Sequence, residues 1–259
     1  MLNQSLVIAR KEVIDGLRDA RSVLSSLMYT LLGPLVVGLV SLSPVLRGAS
    51  RSPLPGLISV FILVSAFAGG MNVAMDTVAG ERERRSLLPL LLNPVQRRNV
   101  ILGKWLAVSV FGVAGLMFNL MGFSVVFATS EIHLNAPWSS LLFAVAFGML
   151  TLPLLAASLQ LLLSTVCRSV KEAQNYLSML MFLPMGIGMF FVFVPAARQA
   201  QFKFLPLAGQ QLHLQSLMDG RTVPLFHSIV LGCLTLTLAG LVLLVCADRL
   251  ERDESIYGN

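Results

Sequence analysis

The sequence has 259 residues, of which 56% are hydrophobic and only 12% are charged. Soluble globular proteins carry about 25% charged residues, so the chain lacks the polar surface that a water-soluble enzyme or a disordered segment needs. The 19 basic residues outnumber the 13 acidic ones, and in a membrane protein such an excess reflects topology and anionic lipid rather than nucleic acid. Composition therefore predicts an all-α protein of the lipid bilayer.

The first 22 residues predict an amphipathic helix that lies in the inner membrane interface. Apolar residues recur there at spacings of three and four: Leu2, Leu6, Ala9, Val13, Leu17 and Ala20. Arg10 and Lys11 lie off this stripe. The apolar run that follows is too long for the core of a secretory signal. A merely solvated N-terminal helix is the alternative interpretation.

Six apolar stretches are long enough to cross the hydrocarbon core, which takes about 20 residues. They run over 23–46, 54–79, 101–128, 139–166, 176–194 and 224–247. No other segment is large enough for a separate soluble domain. Residues 1–259 are therefore predicted to form one transmembrane domain.

The basic residues are distributed unequally between the two sides of these spans. Fourteen lysines and arginines fall on the side that holds both termini, and five fall on the other side. Cytoplasmic loops carry the excess of basic residues, so both termini are predicted to be cytoplasmic, in a cell inner membrane. Arg97, Arg98 and Lys104 are expected to anchor the third span at anionic headgroups.

The centres of the six predicted spans contain no Asp, Glu, Lys, Arg or His, the groups that ion-driven carriers hold at membrane depth. The sequence also lacks a phosphate-binding loop and the His-Glu-x-x-His motif of zinc enzymes. We therefore predict neither a catalytic residue nor a bound metal. The polar residues Asn72, Asn119 and Gln160 are expected to form hydrogen bonds between helices.

Three histidines, His133, His213 and His227, fall near the predicted outer surface. A metal site is conceivable, but scattered interfacial histidines are the default interpretation. The segment 196–223 before the last span is too apolar for a free loop and too charged for a span, so it predicts short helices in the outer interface. It either caps the outer mouth of a pathway or simply packs there.

The loop between the second and third spans combines a charge cluster with a short apolar run. Acidic and basic residues are mixed over 81–85, and leucines dominate 87–92 before Asn93-Pro94 ends the run. A short helix with exposed leucines between charges is suited to docking into a groove on a cytosolic partner. A lipid-facing hairpin with ordinary basic flanks is the alternative.

This loop resembles the signature Gly-Glu-x-Glu-Arg-x-x-Leu-x-x-Leu-Leu-x-x-Pro-Val of the permease subunits of type-2 ABC transporters. The residues that match in order are Gly80, Glu81, Glu83, Arg84, Leu87, Leu91 and Pro94. Arg85-Ser86 stands where many members have Gly-Thr. The resemblance extends to the N-terminal helix, the six spans and the segment 206–212, and it is nearest to the sodium-efflux and drug-export permeases.

The resemblance implies that two permease chains, identical or related, form an export pathway in the lipid and that two separate ATPase subunits dock beneath it. ATP and Mg would bind to the ATPase, and the permease would bind no cofactor directly. The implied polar contacts and hinge of the coupling loop, residues 80–100, are Glu81, Glu83 and Arg84. The residues implied to seat against the ATPase are Leu87, Leu88 and Leu91, with Pro94 ending the helix. The N-terminal residues implied to flank this contact are Arg10, Lys11 and Glu12.

Two alternatives from other classes remain. An intramembrane protease-like protein would need paired glutamates and histidines inside its spans, whereas Glu81 and Glu83 lie in a loop. A non-transporting membrane scaffold subunit is the other alternative, and composition does not separate it from a permease.

Overall fold

The computed structural model describes residues 2–42, 54–86, 96–129, 148–194, 200–221 and 223–251, and this part of the chain contains helices and turns but no strand. The helices in chain order are α1 (Leu2–Arg18), α2 (Ala20–Leu42), α3 (Leu54–Met75), α4 (Arg97–Thr129), α5 (Thr151–Val166), α6 (Val170–Phe193), α7 (Ala208–Met218) and α8 (Leu225–Glu251). A π-helical turn, Asp76–Gly80, and a last α-helical turn, Glu81–Glu83, extend α3. A 3₁₀ turn, Ala200–Phe204, precedes α7.

Five helices of the described part are long and apolar enough to cross a membrane. They are Ala20–Leu42, Leu54–Glu83, Arg97–Thr129, Val170–Phe193 and Leu225–Arg249. This confirms the prediction of an all-helical, multi-pass membrane protein. The predicted fourth span, 139–166, corresponds to the shorter apolar helix α5, and its first residues lie outside the described part. The count of six spans therefore stays a prediction.

Helix α3 is the central element, because it packs against α2, α4, α5 and α6. Leu63 and Phe67 in its middle are fully buried. The surrounding helices instead expose large apolar side chains such as Leu39 (70%), Phe182 (69%) and Leu244 (61%). An exposed apolar surface of this extent is what a helix presents to lipid.

The three polar residues singled out in the spans form hydrogen bonds between helices, as predicted. The bonds are Asn72 Nδ2 to Ser25 Oγ at 2.7 Å, Asn119 Nδ2 to the Thr30 carbonyl at 2.6 Å, and Gln160 Nε2 to the Phe67 carbonyl at 2.6 Å. In lipid, an amide without such a partner would be costly, because no water can replace it. These bonds fix α2 and α5 against their neighbours α3 and α4.

Helices α3 and α4 approach each other through glycines. A Cβ atom placed on Gly69 would lie 2.7 Å from the carbonyl oxygen of Phe111 and 3.1 Å from the Cα atom of Gly115. Both obstacles are backbone atoms, which cannot rotate away as a side chain can. The contact therefore requires the absence of a side chain, as in other closely packed membrane helices.

Gly69→Ala is expected to lower the free energy of unfolding by about 1–3 kcal/mol, because the α4 backbone must move to admit the methyl group. The change is measured by thermal unfolding in detergent. Unfolding is detected when the buried thiols of Cys167 and Cys246 become reactive to a fluorogenic maleimide, and the exposed Cys233 is first replaced by serine so that it does not react. The matched control is Gly240→Ala, because no atom of the described residues lies within 4 Å of a Cβ there. Equal unfolding midpoints for the two variants would contradict the glycine contact.

Helix α1 packs lengthwise on α4, but among the described side chains of its predicted apolar stripe only Ala9 is buried there, beside residues outside the stripe. Ser5, Ala9 and Glu12 are buried, whereas Leu6 and Leu17 are 55% and 60% exposed. The exposed leucines lie beside the face of α1 that packs on α4. One side of α1 therefore contacts the protein, and another side contacts whatever surrounds the protein. Such a helix is suited to the membrane interface, and that location stays a prediction.

Candidate functional site

A buried lysine contacts three helical segments at one end of the helix bundle. We call this end, where α3 ends and α1 lies, the inner end of the bundle. Lys104 of α4 is 1% exposed, and its Nζ lies 3.0 Å from Glu12 Oε1 and 2.8 Å from Glu81 Oε2. It donates hydrogen bonds to Glu12 Oε1 and to the carbonyl oxygen of Thr77, whereas the contact with Glu81 is an ion pair without hydrogen-bond alignment. The expectation that Lys104 anchors α4 at lipid headgroups is therefore wrong, because two protein carboxylates neutralise its charge.

A second lysine completes the charge balance around these carboxylates. Lys11 Nζ lies 3.5 Å from Glu12 Oε1, 3.8 Å from Glu81 Oε1 and 3.6 Å from Asp15 Oδ2. Burial acts to lower the pKa of Lys11, but the carboxylates of Glu12, Glu81 and Asp15 outweigh it and the pKa is raised. Lys11 is therefore protonated at neutral pH. We call Lys11, Glu12, Glu81 and Lys104 the lysine–glutamate cluster.

The cluster fixes the relative positions of α1, α3 and α4. Burying charges costs free energy, and their mutual attraction only offsets that cost when the geometry is good. The net gain in stability from assembling such a cluster is therefore small. Its effect is instead positional, because displacing any one of the three helices leaves a charge without its partner.

Arg82, the next residue after Glu81, connects the same turn to α5. Its Nη1 and Nη2 atoms donate to the carbonyl oxygens of Cys167 and Thr165 at 2.8 and 3.0 Å. These carbonyls lie at the end of α5, where the last turn of a helix leaves acceptors unpaired. A guanidinium at this position also stabilises the negative end of the helix dipole.

Glu83 connects the turn to the start of α6. Its Oε2 accepts a hydrogen bond at 2.7 Å from the backbone N–H of Val170, the first residue of that helix. Ser169 and Glu172 form a capping pair at the same helix start, because the Ser169 hydroxyl accepts from the N–H of Glu172 and Glu172 Oε2 accepts from the N–H of Arg168. A carboxylate here also stabilises the positive end of α6.

Three consecutive side chains thus bind four different helices: Glu81 contacts α1 and α4, Arg82 contacts α5, and Glu83 contacts α6. We call residues 81–83 the 81–83 turn. The π-helical turn before it frees the N–H of Ala79 to donate to Ser164 Oγ of α5 at 3.1 Å. Single π-helical turns inside long helices often occur at functional sites. Any movement of the 81–83 turn must therefore be shared by the inner ends of four helices.

The structure brings together part of the site predicted from the sequence. Glu12 and Lys11 of the N-terminal helix meet Glu81, so the two predicted regions share one cluster. Arg84 Nη2 lies 3.2 Å from Asp76 Oδ1 with its side chain largely exposed, and Arg10 is exposed. The predicted site residues that lie outside the described part are Leu87, Leu88, Leu91 and Pro94.

Sequence reasoning missed Lys104 and Arg82 as parts of this site. A signal for Lys104 was available, since Val100, Ile101 and Val108 around it on α4 are apolar, and a lysine on a buried face needs an acidic partner. Within the described ranges, no group of three or more His, Cys, Asp or Glu residues is placed to hold a metal ion. The cluster connects α1, α3 and α4 through charged side chains.

Comparison with known proteins identifies a family. The family model described as "ABC-2 family transporter protein" matches residues 6–220, which include both the lysine–glutamate cluster and the 81–83 turn. The match thus covers most of the chain.

Curated relatives agree with this match. The chain is 38% identical over 173 residues to the ABC transporter permease protein NatB of Bacillus subtilis, a comparison that covers 64% of this chain and 45% of NatB. It is 32% identical over 138 residues to the probable ABC transporter permease protein NosY of Stutzerimonas stutzeri, covering 46% of this chain and 47% of NosY. The chain thus spans less than half the length of these curated relatives.

Proposed function

The chain belongs to the ABC-2 transporter family, whose permeases are transport subunits rather than enzymes, and on that premise we propose that it forms the membrane pathway of an ATP-driven exporter. Two permease chains, identical or related, enclose the pathway, and two copies of a separate ATPase subunit bind ATP and Mg beneath them. The long apolar helices support a membrane pathway. Membrane lipid is the other partner, and no nucleic acid is involved.

In this proposal, the chain lies in the inner membrane with both termini in the cytoplasm. The distribution of basic residues supports this orientation. The inner end of the bundle, with the lysine–glutamate cluster and the 81–83 turn, then faces the cytoplasm. That is the side on which an ATPase has access to ATP.

The observation that carries the coupling proposal is that the 81–83 turn binds four helices at once. The leucine-rich segment begins four residues after Glu83, at Leu87. When the ATPase closes on ATP and displaces that segment, the 81–83 turn moves with it. Glu81 transmits the displacement to α1 and α4, Arg82 to α5, and Glu83 to α6. The spans need no ion site of their own, because the work is delivered through this junction.

The partner contact itself is assigned to residues on both sides of the cluster. Leu87, Leu88 and Leu91 seat in a groove of the ATPase, and Pro94 ends that helix. Exposed Arg10 and Lys11 flank the contact. Glu12 acts differently from the sequence-based assignment: it is buried against Lys104, so it positions α1 rather than touching the partner.

Glu81→Gln is expected to uncouple ATP hydrolysis from export while the subunits remain assembled. The substitution keeps the size of the side chain but removes the charge that holds Lys104 and Lys11. Export should fall by about tenfold, within the 1–3 kcal/mol typical of coupling between sites. The measurement compares ATP hydrolysis with ATP-dependent movement of sodium ions and of cationic dyes in inverted membrane vesicles that contain the permease and its ATPase.

The matched control is Asp15→Asn, because Asp15 contacts Lys11 but neither Glu12 nor Lys104, and its side chain is 51% exposed. Export at the wild-type rate by Glu81→Gln would refute the coupling role. If the wild-type permease transports neither sodium ions nor cationic dyes and does not co-purify with an ATPase subunit, the result would instead favour the scaffold alternative.

A further inference from the structure

A cavity of about 320 Å³ lies at the end of the bundle opposite the lysine–glutamate cluster, between the 3₁₀ turn, α7 and the start of α8. Its position follows from a hydrogen bond of 2.7 Å between Gln211 of α7 and Ser59, which lies near the beginning of α3. The cluster lies beyond the other end of that helix. A cavity of this size is at the lower end of the range for small-molecule sites.

The polar lining of this cavity is basic. It includes the cationic side chains of Lys203 and Arg221, the imidazoles of His213 and His227 and the hydroxyl of Ser216, and no acidic side chain among the described residues lines it. In the described part of the chain neither cation makes an ion pair, and Asp219 is exposed outside the lining. Two uncompensated cations that converge on one cavity attract an anionic group.

The two histidines add ring nitrogens to the polar lining. Burial, followed by the proximity of His227, lowers the pKa of His213 to about 4, so its ring is neutral at physiological pH, and its Nε2 lies 3.3 Å from Ser228 Oγ. The ring of His227 stacks on Phe204 with centroids 5.2 Å apart. Among the described residues its buried Nδ1 has no hydrogen-bond partner, so a ligand that reaches this atom would satisfy it.

The cavity wall is held in place by the packing of α7. A Cβ atom on Gly209 would collide with the carbonyl oxygen of Lys203, so the helix start presses directly on the 3₁₀ turn. Gln210 Oε1 accepts a hydrogen bond from the N–H of Leu207 at 2.6 Å, and Gln210 Nε2 donates one to Thr235 Oγ1 of α8 at 2.7 Å. The cavity is therefore formed before a ligand arrives, which reduces the entropic cost of binding.

Exposed apolar side chains border the basic cavity. The rings of Phe204 and Phe226, 42% and 68% exposed, lie 5.2 and 6.4 Å from the ring of His227, and their chain neighbours Leu205 and Leu225 are 53% and 43% exposed. Aromatic and aliphatic side chains beside polar groups are typical of the membrane–water boundary. A small soluble anion would use the cations but leave this apolar border without a function.

We propose that the cavity binds the phosphate of an anionic lipid-like molecule, with Lys203 and Arg221 holding the charge and the apolar border holding the acyl chains. His227 supplies a hydrogen bond to a phosphate oxygen, whereas the Ser216 hydroxyl already donates to the carbonyl oxygen of Leu212 at 2.8 Å. The site lies at the predicted outer face and does not depend on the ATPase coupling proposed above.

The test titrates the purified full-length chain in neutral detergent with three probes: dihexanoyl phosphatidylglycerol, dihexanoyl phosphatidylcholine and inorganic phosphate. The ligand-induced rise in the unfolding midpoint reports binding. Phosphatidylglycerol should stabilise the wild type, and Lys203→Gln with Arg221→Gln should weaken its binding by about tenfold or more, the loss of two charge-assisted contacts. Arg18→Gln with Arg21→Gln, at the inner end, is the control with the same net charge.

The comparison of probes identifies the source of the anion. Stabilisation by phosphatidylglycerol that phosphate does not reproduce supports a lipid, and equal stabilisation by phosphate alone would overturn the assignment of the acyl chains. Equal effects of phosphatidylglycerol and phosphatidylcholine, or equal binding to wild type and double variant, would overturn the anion site. If the double variant does not fold, Lys203→Gln and Arg221→Gln are each tested alone, and phosphatidylglycerol binding that is unaltered in both single variants would likewise overturn the anion site.

Discussion

Replacing Lys104 by methionine is expected to lower the free energy of unfolding by about 3–5 kcal/mol, because the carboxylates of Glu12 and Glu81 then lose the buried cation between them and keep only the exposed Lys11. Their side chains are only 9% and 13% exposed, so water cannot replace the ammonium group. Methionine keeps most of the length and apolar volume of the lysine stem, and the loss therefore reports the charge. The thiol-reactivity assay on the Cys233→Ser background measures the change.

Two further variants distinguish the loss of stability caused by breaking a buried ion pair from the effect of removing any positive charge. Lys11→Met removes a cation whose side chain is 59% exposed, and exposed ion pairs contribute at most about 1 kcal/mol. The triple variant Lys104→Met, Glu12→Gln, Glu81→Gln has no unpaired charge and should recover most of the loss. An unfolding midpoint of Lys104→Met equal to that of Lys11→Met would show that Lys104 does not hold the cluster.

The triple variant also distinguishes stability from mechanical connection. A cluster without the buried charges of residues 12, 81 and 104 can pack well, but it no longer penalises the separation of α1, α3 and α4 with an unpaired charge. We therefore expect a stable protein whose helices are less tightly linked to the 81–83 turn. In the ATPase complex, it should hydrolyse ATP with weakened export, like Glu81→Gln alone.

Features of the fold that depend on local sequence were predictable. The long helices agree with the predicted apolar stretches because span length is set by the thickness of the hydrocarbon core. The hydrogen bonds of Asn72, Asn119 and Gln160 were predictable because an amide in lipid has few other ways to be satisfied. Neither prediction requires knowledge of which helices are neighbours.

Features that depend on which helices meet were not predictable. Lys104 lies seven residues after Arg97 in a basic helix start, which favours a headgroup anchor, and its apolar neighbours on α4 indicate only that it needs an acidic partner, not which one. Its burial follows from α1, which crosses α4 far from it in sequence and delivers Glu12. The same holds for His213 and His227, which appeared scattered until the packing of α7 against α8 placed both at one cavity.

The exposed face of α1 shows a related limit. Periodicity identified the stripe with Leu6 and Leu17, but hydrophobicity alone does not say whether such a stripe contacts protein or lipid. In water the most apolar face packs inward, whereas at a membrane the lipid accepts apolar side chains equally well. Polar residues such as Ser5 and Glu12 can then face the neighbouring helix together with Ala9, the small residue of the stripe, as they do here.

Leu87→Asp combined with Leu91→Asp is expected to abolish co-purification of the ATPase subunit while leaving membrane insertion intact. Apolar anchors at the centre of an interface typically contribute about 2 kcal/mol or more each, so two losses weaken association by roughly a thousandfold. The added carboxylates further oppose docking, since a groove that accepts leucine offers them no partner. Insertion is unaffected because the segment is too short to span the bilayer.

The measurement is affinity purification of the tagged permease from membranes that contain both subunits, with the ATPase quantified by immunoblotting. Leu205→Asp is the control, because Leu205 is an exposed leucine at the opposite end of the bundle and its replacement should leave the complex intact. Full retention of the ATPase by the double variant would assign docking to another surface. Loss in both variants would instead indicate that added charge disturbs the membrane protein generally, and Leu87→Ala with Leu91→Ala would then decide whether the leucines themselves bind.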